Sequence, residues 1–175
     1  MQPEPLPEPA AGNPMPTQTP AKAETRARRA WLLVLLWAAV VLILGSDDGS
    51  AHATSLIIGP LLQWLLPDTP QAILDQLHHL LRKAAHVVEY GVLALLAQRG
   101  VAARGRTSRW RPAGPALLVV LAVAVLDEGR QSLSSTRTGS AGDVALDLAG
   151  GVLALACAIA YTRLMEVRRR PREDA

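Results

Sequence analysis

Phenylalanine is absent from this 175-residue chain, which carries only four Trp and two Tyr. Cysteine is nearly absent too: Cys157 alone cannot form an internal disulfide, and with four histidines it cannot build a zinc-ribbon or zinc-finger framework. Charge is sparse, at 19% of residues against 50% in the hydrophobic set. No phosphate-cradling glycine motif, GxSxG elbow or HExxH occurs, so the familiar soluble enzyme classes find no support.

What is present is unevenly distributed. Seven of the 13 prolines lie in the first 20 residues, which leaves the apolar residues to gather in runs long enough to cross a bilayer. The Pro-rich start has no hydrophobic periodicity and too little apolar area to offset its conformational entropy. The expected organisation is a disordered cytoplasmic tail over 1–29, a membrane domain over 30–163 and a basic cytoplasmic tail over 164–175. A polyproline partner segment is the alternative for the first tail, since PEPLP loosely fits PxxP.

Four apolar runs are candidate transmembrane helices: Ala30 to Gly45, Ala84 to Gln98, Ala113 to Leu133 and Asp143 to Tyr161. The second is short, and flanking Arg82, Lys83 and Arg99 extend it by snorkelling. Two weaker segments, Thr54 to Leu66 and Gln71 to Leu81, precede it on either side of Pro67 and Pro70. Gly59-Pro60 interrupts the first, which suits an interfacial or re-entrant piece. In the second, Ile73, Leu74, Leu77, Leu80 and Leu81 share one helical face, as in a helix lying in the interface. The expected fold is therefore all-α: a polytopic membrane bundle of four transmembrane helices, with interfacial helices between the first and second.

Charge gives the orientation. Fourteen of the 18 basic residues fall before the first run, between the second and third, or after the fourth. By the positive-inside rule those three segments, including both termini, face the cytoplasm. This placement beside apolar runs is a membrane signature, so the pI near 9.6 does not imply nucleic acid binding. A rival reading makes Arg26 to Leu44 a secretory signal with a cleavage box at Ala51-His52-Ala53.

The ionisable residues inside the runs carry the functional information. Arg82, His86 and Glu89 lie at i, i+4 and i+7, on one helix face. Asp127, Glu128 and Gln131 close the third run. Asp143 and Asp147 open the fourth at i, i+4, one turn before Gly150 and Gly151, which permit close helix approach. In this topology all three sets lie near the non-cytoplasmic surface. A charged residue in hydrocarbon costs roughly 3 kcal/mol, so the sets are expected to meet in a shared pocket.

Arg82-Lys83-x-x-His86-x-x-Glu89-Tyr90, then Asp127-Glu128-x-x-Gln131, then Arg137 with Asp143 and Gly150-Gly151, resembles the VanZ-like family of small bacterial membrane proteins. The similarity runs from about Trp31 to Ala156 and includes Gly45-Ser46-Asp47-Asp48 after the first run. It implies an integral bundle in the bacterial inner membrane and, through the family's named member, an association with low-level teicoplanin resistance. It assigns no reaction. This chain departs from the family pattern at Asp147, where Asn is frequent, and at Leu133, where an aromatic is common.

His86 with Glu89 reads as a metal pair, an acid-base pair or an interhelical hydrogen-bond pair. Asp127 and Glu128 read as a cation site or general base, or as ion-pair partners of Arg82, Lys83 or Arg137. Those three cations suit a phosphate or diphosphate on a lipid carrier, or else snorkel at the interface. The candidate catalytic set is thus His86, Glu89, Asp127, Glu128 and Asp143; the candidate ligand-binding set is Arg82, Lys83, Tyr90, Gln131 and Arg137. A divalent ion is optional in this scheme. Tyr90 fits an interface position, His78 and His79 sit on different parts of the interfacial helix, and Cys157 and the tryptophans read as packing or anchors. The expected partner is a membrane lipid, lipid-linked or phosphate-bearing, handled during envelope metabolism. The other readings are a shielding protein that limits glycopeptide access, and an ion-coupled carrier, which with four spans would work as a homo-oligomer.

Overall fold

The computed structural model describes residues 20–45, 53–104, 113–133 and 140–169. Among them the chain forms five α-helices and no strand: α1 Pro20–Leu44, α2 Ala53–Leu65, α3 Gln71–Arg104, α4 Ala113–Ser132 and α5 Ala141–Arg169. The all-α expectation holds. The elements differ from the sequence reading in three respects.

First, the expected interfacial helix and second span are one continuous helix, α3. No Gly or Pro falls between Gln71 and Tyr90, and Arg82 and Lys83 are good helix formers, so nothing breaks the ladder at the change from amphipathic to apolar sequence. Its 34 residues make it about 51 Å long at 1.5 Å per residue. Second, α2 continues through Pro60, which costs one backbone hydrogen bond without ending the helix. Third, helix reaches into both expected tails. α1 starts at Pro20, because Ala, Lys, Glu and Arg dominate residues 21–29, and α5 runs on to Arg169. The PEPLP motif lies outside the described residues.

The helix ends have local causes. Pro67 and Pro70 bracket the turn before α3, and the Pro70 carbonyl accepts from the amides of Ile73 and Leu74 at 2.9 and 3.3 Å. Ser140 is the N-cap of α5: its Oγ accepts from the Gly142 amide at 3.1 Å, and Asp143 occupies the first turn, where its charge suits the helix dipole.

α3 is the hub. It packs against α5, α1 and α4, and it is the one helix that α2 touches; α4 and α5 also pack together, while α1 and α5 do not meet among the described residues. The core is built from one stripe of each helix at helical spacing: Val34 and Val41 of α1; Tyr90, Leu93, Ala94 and Ala97 of α3; Ala116, Val120 and Ala124 of α4; Leu155 of α5. Small residues set the helix separation. A Cβ on Gly150 would stand 2.6 Å from the Val87 carbonyl oxygen, and one on Gly151 would touch Val120 and Ala94. α5 therefore lies almost backbone to backbone on α3 at this level.

The outer surface is strongly apolar. Leu32, Leu35, Leu36 and Ile43 of α1, Leu118 and Val125 of α4 and Leu153 of α5 are each more than half exposed. Two helices, α1 over Glu24–Leu44 and α5, are long and apolar enough to cross a membrane. Among the described residues these two of the four expected helices meet that criterion, and polar residues account for the shortfall. Every 18-residue stretch of α4 includes Asp127, Glu128 and Arg130, and the apolar part of α3 carries His86, Glu89, Gln98 and Arg99.

Candidate functional site

The C-terminal ends of α1 and α4 and the N-terminal end of α5 each lie beside the middle of α3. This junction gathers the polar residues. On α4 the stripe that carries Ala116, Val120 and Ala124 into the core continues as Asp127, Glu128 and Gln131, all buried. On α5 the stripe that ends at Leu155 begins with Asp147, which is 1% exposed. Helical spacing thus makes the core residues and the site residues successive positions of the same packed faces.

His86 of α3 reaches across to α5, with its Nδ1 3.2 Å from Asp147 Oδ1. Its ring stacks on Tyr90 one turn further on, with centroids 6.3 Å apart and planes 12° from parallel. The expected His86 and Glu89 pair is therefore replaced by His86 and Asp147. The close approach at Gly150 brings the Asp147 turn of α5 within reach of the imidazole, whereas Glu89 shares His86's own helix. Glu89 stays half-buried and within electrostatic reach of His86, Asp147 and Asp127. Its backbone carbonyl accepts from the Trp37 indole at 2.9 Å, which ties α1 to α3 beside the site.

Asp127 accepts from Gln131 Nε2 at 3.0 Å through Oδ2. Arg130 lies 3.9 Å from its Oδ1. The same guanidinium donates to the Leu42 carbonyl at 2.8 Å, capping the end of α1. The carboxylate also rests on Gly45, where an added Cβ would stand 2.5 Å from Oδ2. Glu128 accepts from the Ser140 amide at 2.7 Å and so joins the end of α4 to the start of α5. Three buried polar atoms, Tyr90 Oη, Asp127 Oδ1 and Asp147 Oδ2, have no hydrogen-bond partner among the described residues.

On the outer side of this cluster is a small cavity of about 20 Å³, lined by His79, Arg82, Lys83, His86, Asp143 and Leu146 and large enough for a water molecule. It joins the part of α3 that projects beyond the junction to the first turns of α5. His86 belongs to both features: its Nδ1 meets the buried acid, and the residue is part of the cavity lining.

Of the ten candidate residues, nine lie among the described ones, and all nine occupy this junction or its mouth. Arg137 lies outside the described residues. Among the described residues a cation beside Asp127 is Arg130, one turn along the same helix. Among the described residues no three His, Cys, Asp or Glu side chains are placed to hold a metal ion together. The VanZ/LLP1 family model matches residues 30–163, more than three quarters of the chain. The chain belongs to the VanZ/LLP1 family. No curated protein and no solved structure matches it.

The VanZ/LLP1 region takes in α2, α3 and α4 entire and all ten candidate residues; the first turns of α1 and the last turns of α5 extend past it. Within it, sequence reasoning left three contributors out of the site. Asp147 had a usable signal in its i, i+4 relation to Asp143, but nothing in one sequence says which of two acids turns inward. Arg130 falls at the end of the third run with no partner in view, since its acceptor at Leu42 is 88 positions away. His79 lines the cavity only because α3 is unbroken.

Proposed function

We propose that this VanZ/LLP1 protein spans the bacterial inner membrane four times, with both termini in the cytoplasm, and that its polar junction recognises and acts on an anionic lipid head group at the outer leaflet. The observation that carries this is a junction holding buried Asp127, Glu128 and Asp147, linked through the contact between His86 and Asp147 to a cavity that Arg82 and Lys83 also line. Buried carboxylates are costly and add little to stability compared with apolar residues of the same volume, so three at one level favour chemistry over packing. The two cations at the mouth supply the charge that a phosphate-bearing head group requires.

The topology rests on several features. Exposed leucines around α1, α4 and α5 form the kind of surface that lipid covers. The basic residues at the start of α1 and the ends of α3 and α5 lie at the end of the bundle away from the junction. α3 and α4 are less apolar because they carry the site itself. α3 exceeds the roughly 30 Å hydrocarbon thickness, so Gln71 to Lys83 with α2 would sit above the core at the lipid boundary. A site at that level also suits the family's association with glycopeptide resistance, because glycopeptides act on the outer side of the membrane.

The test combines binding with phenotype. Full-length protein purified in phosphatidylcholine nanodiscs carrying an anionic phospholipid should retain that lipid, and Arg82→Gln with Lys83→Gln should release it. In cells, Glu89→Gln or Asp127→Asn should abolish the resistance or envelope phenotype while protein in the membrane fraction stays constant. Unchanged lipid retention in the double variant overturns the head-group reading.

A further inference from the structure

We infer that His86, held through Nδ1 by the buried Asp147, is a general base facing the cavity, and that the reaction it serves is hydrolysis of a lipid phosphate ester. This rests on the head-group reading and adds a reaction class to it.

The geometry divides the imidazole into two ends. As a carboxylate, Asp147 can only accept, so the proton in the 3.2 Å contact belongs to Nδ1. Neutral imidazole then leaves Nε2 as its acceptor. Asp147 is 1% exposed and fixed on α5, where Gly150 keeps the backbone against α3, so the ring is oriented by a group that solvent does not reach. Stacking on Tyr90 restrains its plane. His86 also lines the cavity that has room for a water, and the same walls carry Arg82 and Lys83. An imidazole oriented by a buried acid, a space for water and two cations for phosphate oxygens are the parts that phosphate ester hydrolysis requires.

In the step proposed, Nε2 takes a proton from water as the water oxygen bonds to phosphorus. The bond from phosphorus to the lipid-side oxygen breaks, its electron pair leaves with that oxygen, and the oxygen is protonated from solvent. The imidazolium then returns its proton to solvent. One water is consumed and one phosphate group is released, with no change of oxidation state. His86 is the reacting group and Asp147 a positioning residue.

The experiment uses full-length protein in phosphatidylcholine nanodiscs carrying either phosphatidate or a polyprenyl monophosphate. Inorganic phosphate release and lipid retention are measured separately. The unaltered protein should release phosphate from at least one of these lipids, and the one it uses identifies the source of the ester. His86→Gln should reduce release to background with retention intact. Asp147→Asn should lower kcat about 100-fold or more with little change in KM, the pattern expected when a ring is left in the wrong tautomer. Nitrogen NMR of labelled histidine provides a second readout that does not depend on turnover. The proton should sit on Nδ1 in the unaltered protein and shift toward Nε2 in Asp147→Asn. Retention of both lipids without phosphate release overturns this inference and leaves the head-group reading standing; failure to retain either removes both. Release that survives His86→Gln, or an unaltered ring carrying its proton on Nε2, also overturns it.

Discussion

The two ends of the helix bundle pack in the same way and differ in chemistry. Away from the junction, Trp31 lies against Gly100, and Ala97, Ala116 and Val120 fill the centre, with the arginines left outside. At the junction the same stripes present Asp127, Glu128, Gln131 and Asp147 to the interior. α4 contains both conditions within five turns. The difference shows that helix separation here is set by small residues and is independent of what fills the centre, so polar side chains can be placed at one end without a change of fold. The predictions below probe that separation of packing from chemistry.

The largest effect is expected where packing is tightest. At Gly150 an added Cβ meets the Val87 backbone, which cannot move aside as a side chain would. Gly150→Val should destabilise the protein by about 3 kcal/mol, the upper end of the usual overpacking cost, read as a lower unfolding midpoint in detergent. Gly114→Ala is the control, because its Cβ would stand in open space. An unchanged midpoint in Gly150→Val would mean that α3 and α5 are not in contact at the site.

Next is Arg130, the cation that serves both the chain end and the site. Arg130→Gln loses the donor to Leu42 and the charge beside Asp127. Because the guanidinium is 42% exposed, the cost should be about 1 kcal/mol rather than the larger values of buried charged hydrogen bonds. Lysine should restore part of the loss, since it keeps the charge but not the fork. A cost several times larger would place the junction's stability in its charges and not in its glycines.

The contrast also explains how much could be read from sequence. Apolar runs, basic flanks and the depth of His86, Asp127 and Asp143 are local properties, and they sufficed to anticipate helices converging at one level. Pairings are not local. His86 is matched with Asp147 across 61 positions, and Trp37 with the Glu89 carbonyl across 52, through contacts that depend on crossing geometry and on which glycine lets two backbones meet. The continuity of α3 was legible in principle, from the lack of Gly or Pro between Gln71 and Tyr90. It was obscured because an amphipathic half and an apolar half have different periodic signals, and a change of environment reads like a break in the helix.

Tyr90 tests the junction from the opposite direction. Its ring is fully buried in the core cluster, and its hydroxyl has no hydrogen-bond partner among the described residues. Tyr90→Phe keeps the stacking face toward His86 and removes an unsatisfied polar atom, so stability should rise by about 1 kcal/mol. A fall in the unfolding midpoint would show that the hydroxyl belongs to the polar network and that the polar end extends a turn deeper along α3.

The smallest effect belongs to the basic end. Arg99 and Arg168 are exposed, and no hydrogen bond or ion pair within the bundle is built on them among the described residues. Neutralising either as Gln should alter stability by no more than about 0.5 kcal/mol, the usual range for surface positions. If their work is to keep that end on the cytoplasmic side, the double variant Arg99→Gln with Arg168→Gln should instead alter orientation, increasing the fraction of chains whose C-terminus is open to protease in intact spheroplasts. The two readouts separate the roles of charge at the two ends. At the junction a lost cation should appear in the melt; under the proposed topology, at the basic end it should appear only in orientation, where the charge would act with the membrane potential and lipid surface and not on a neighbouring helix.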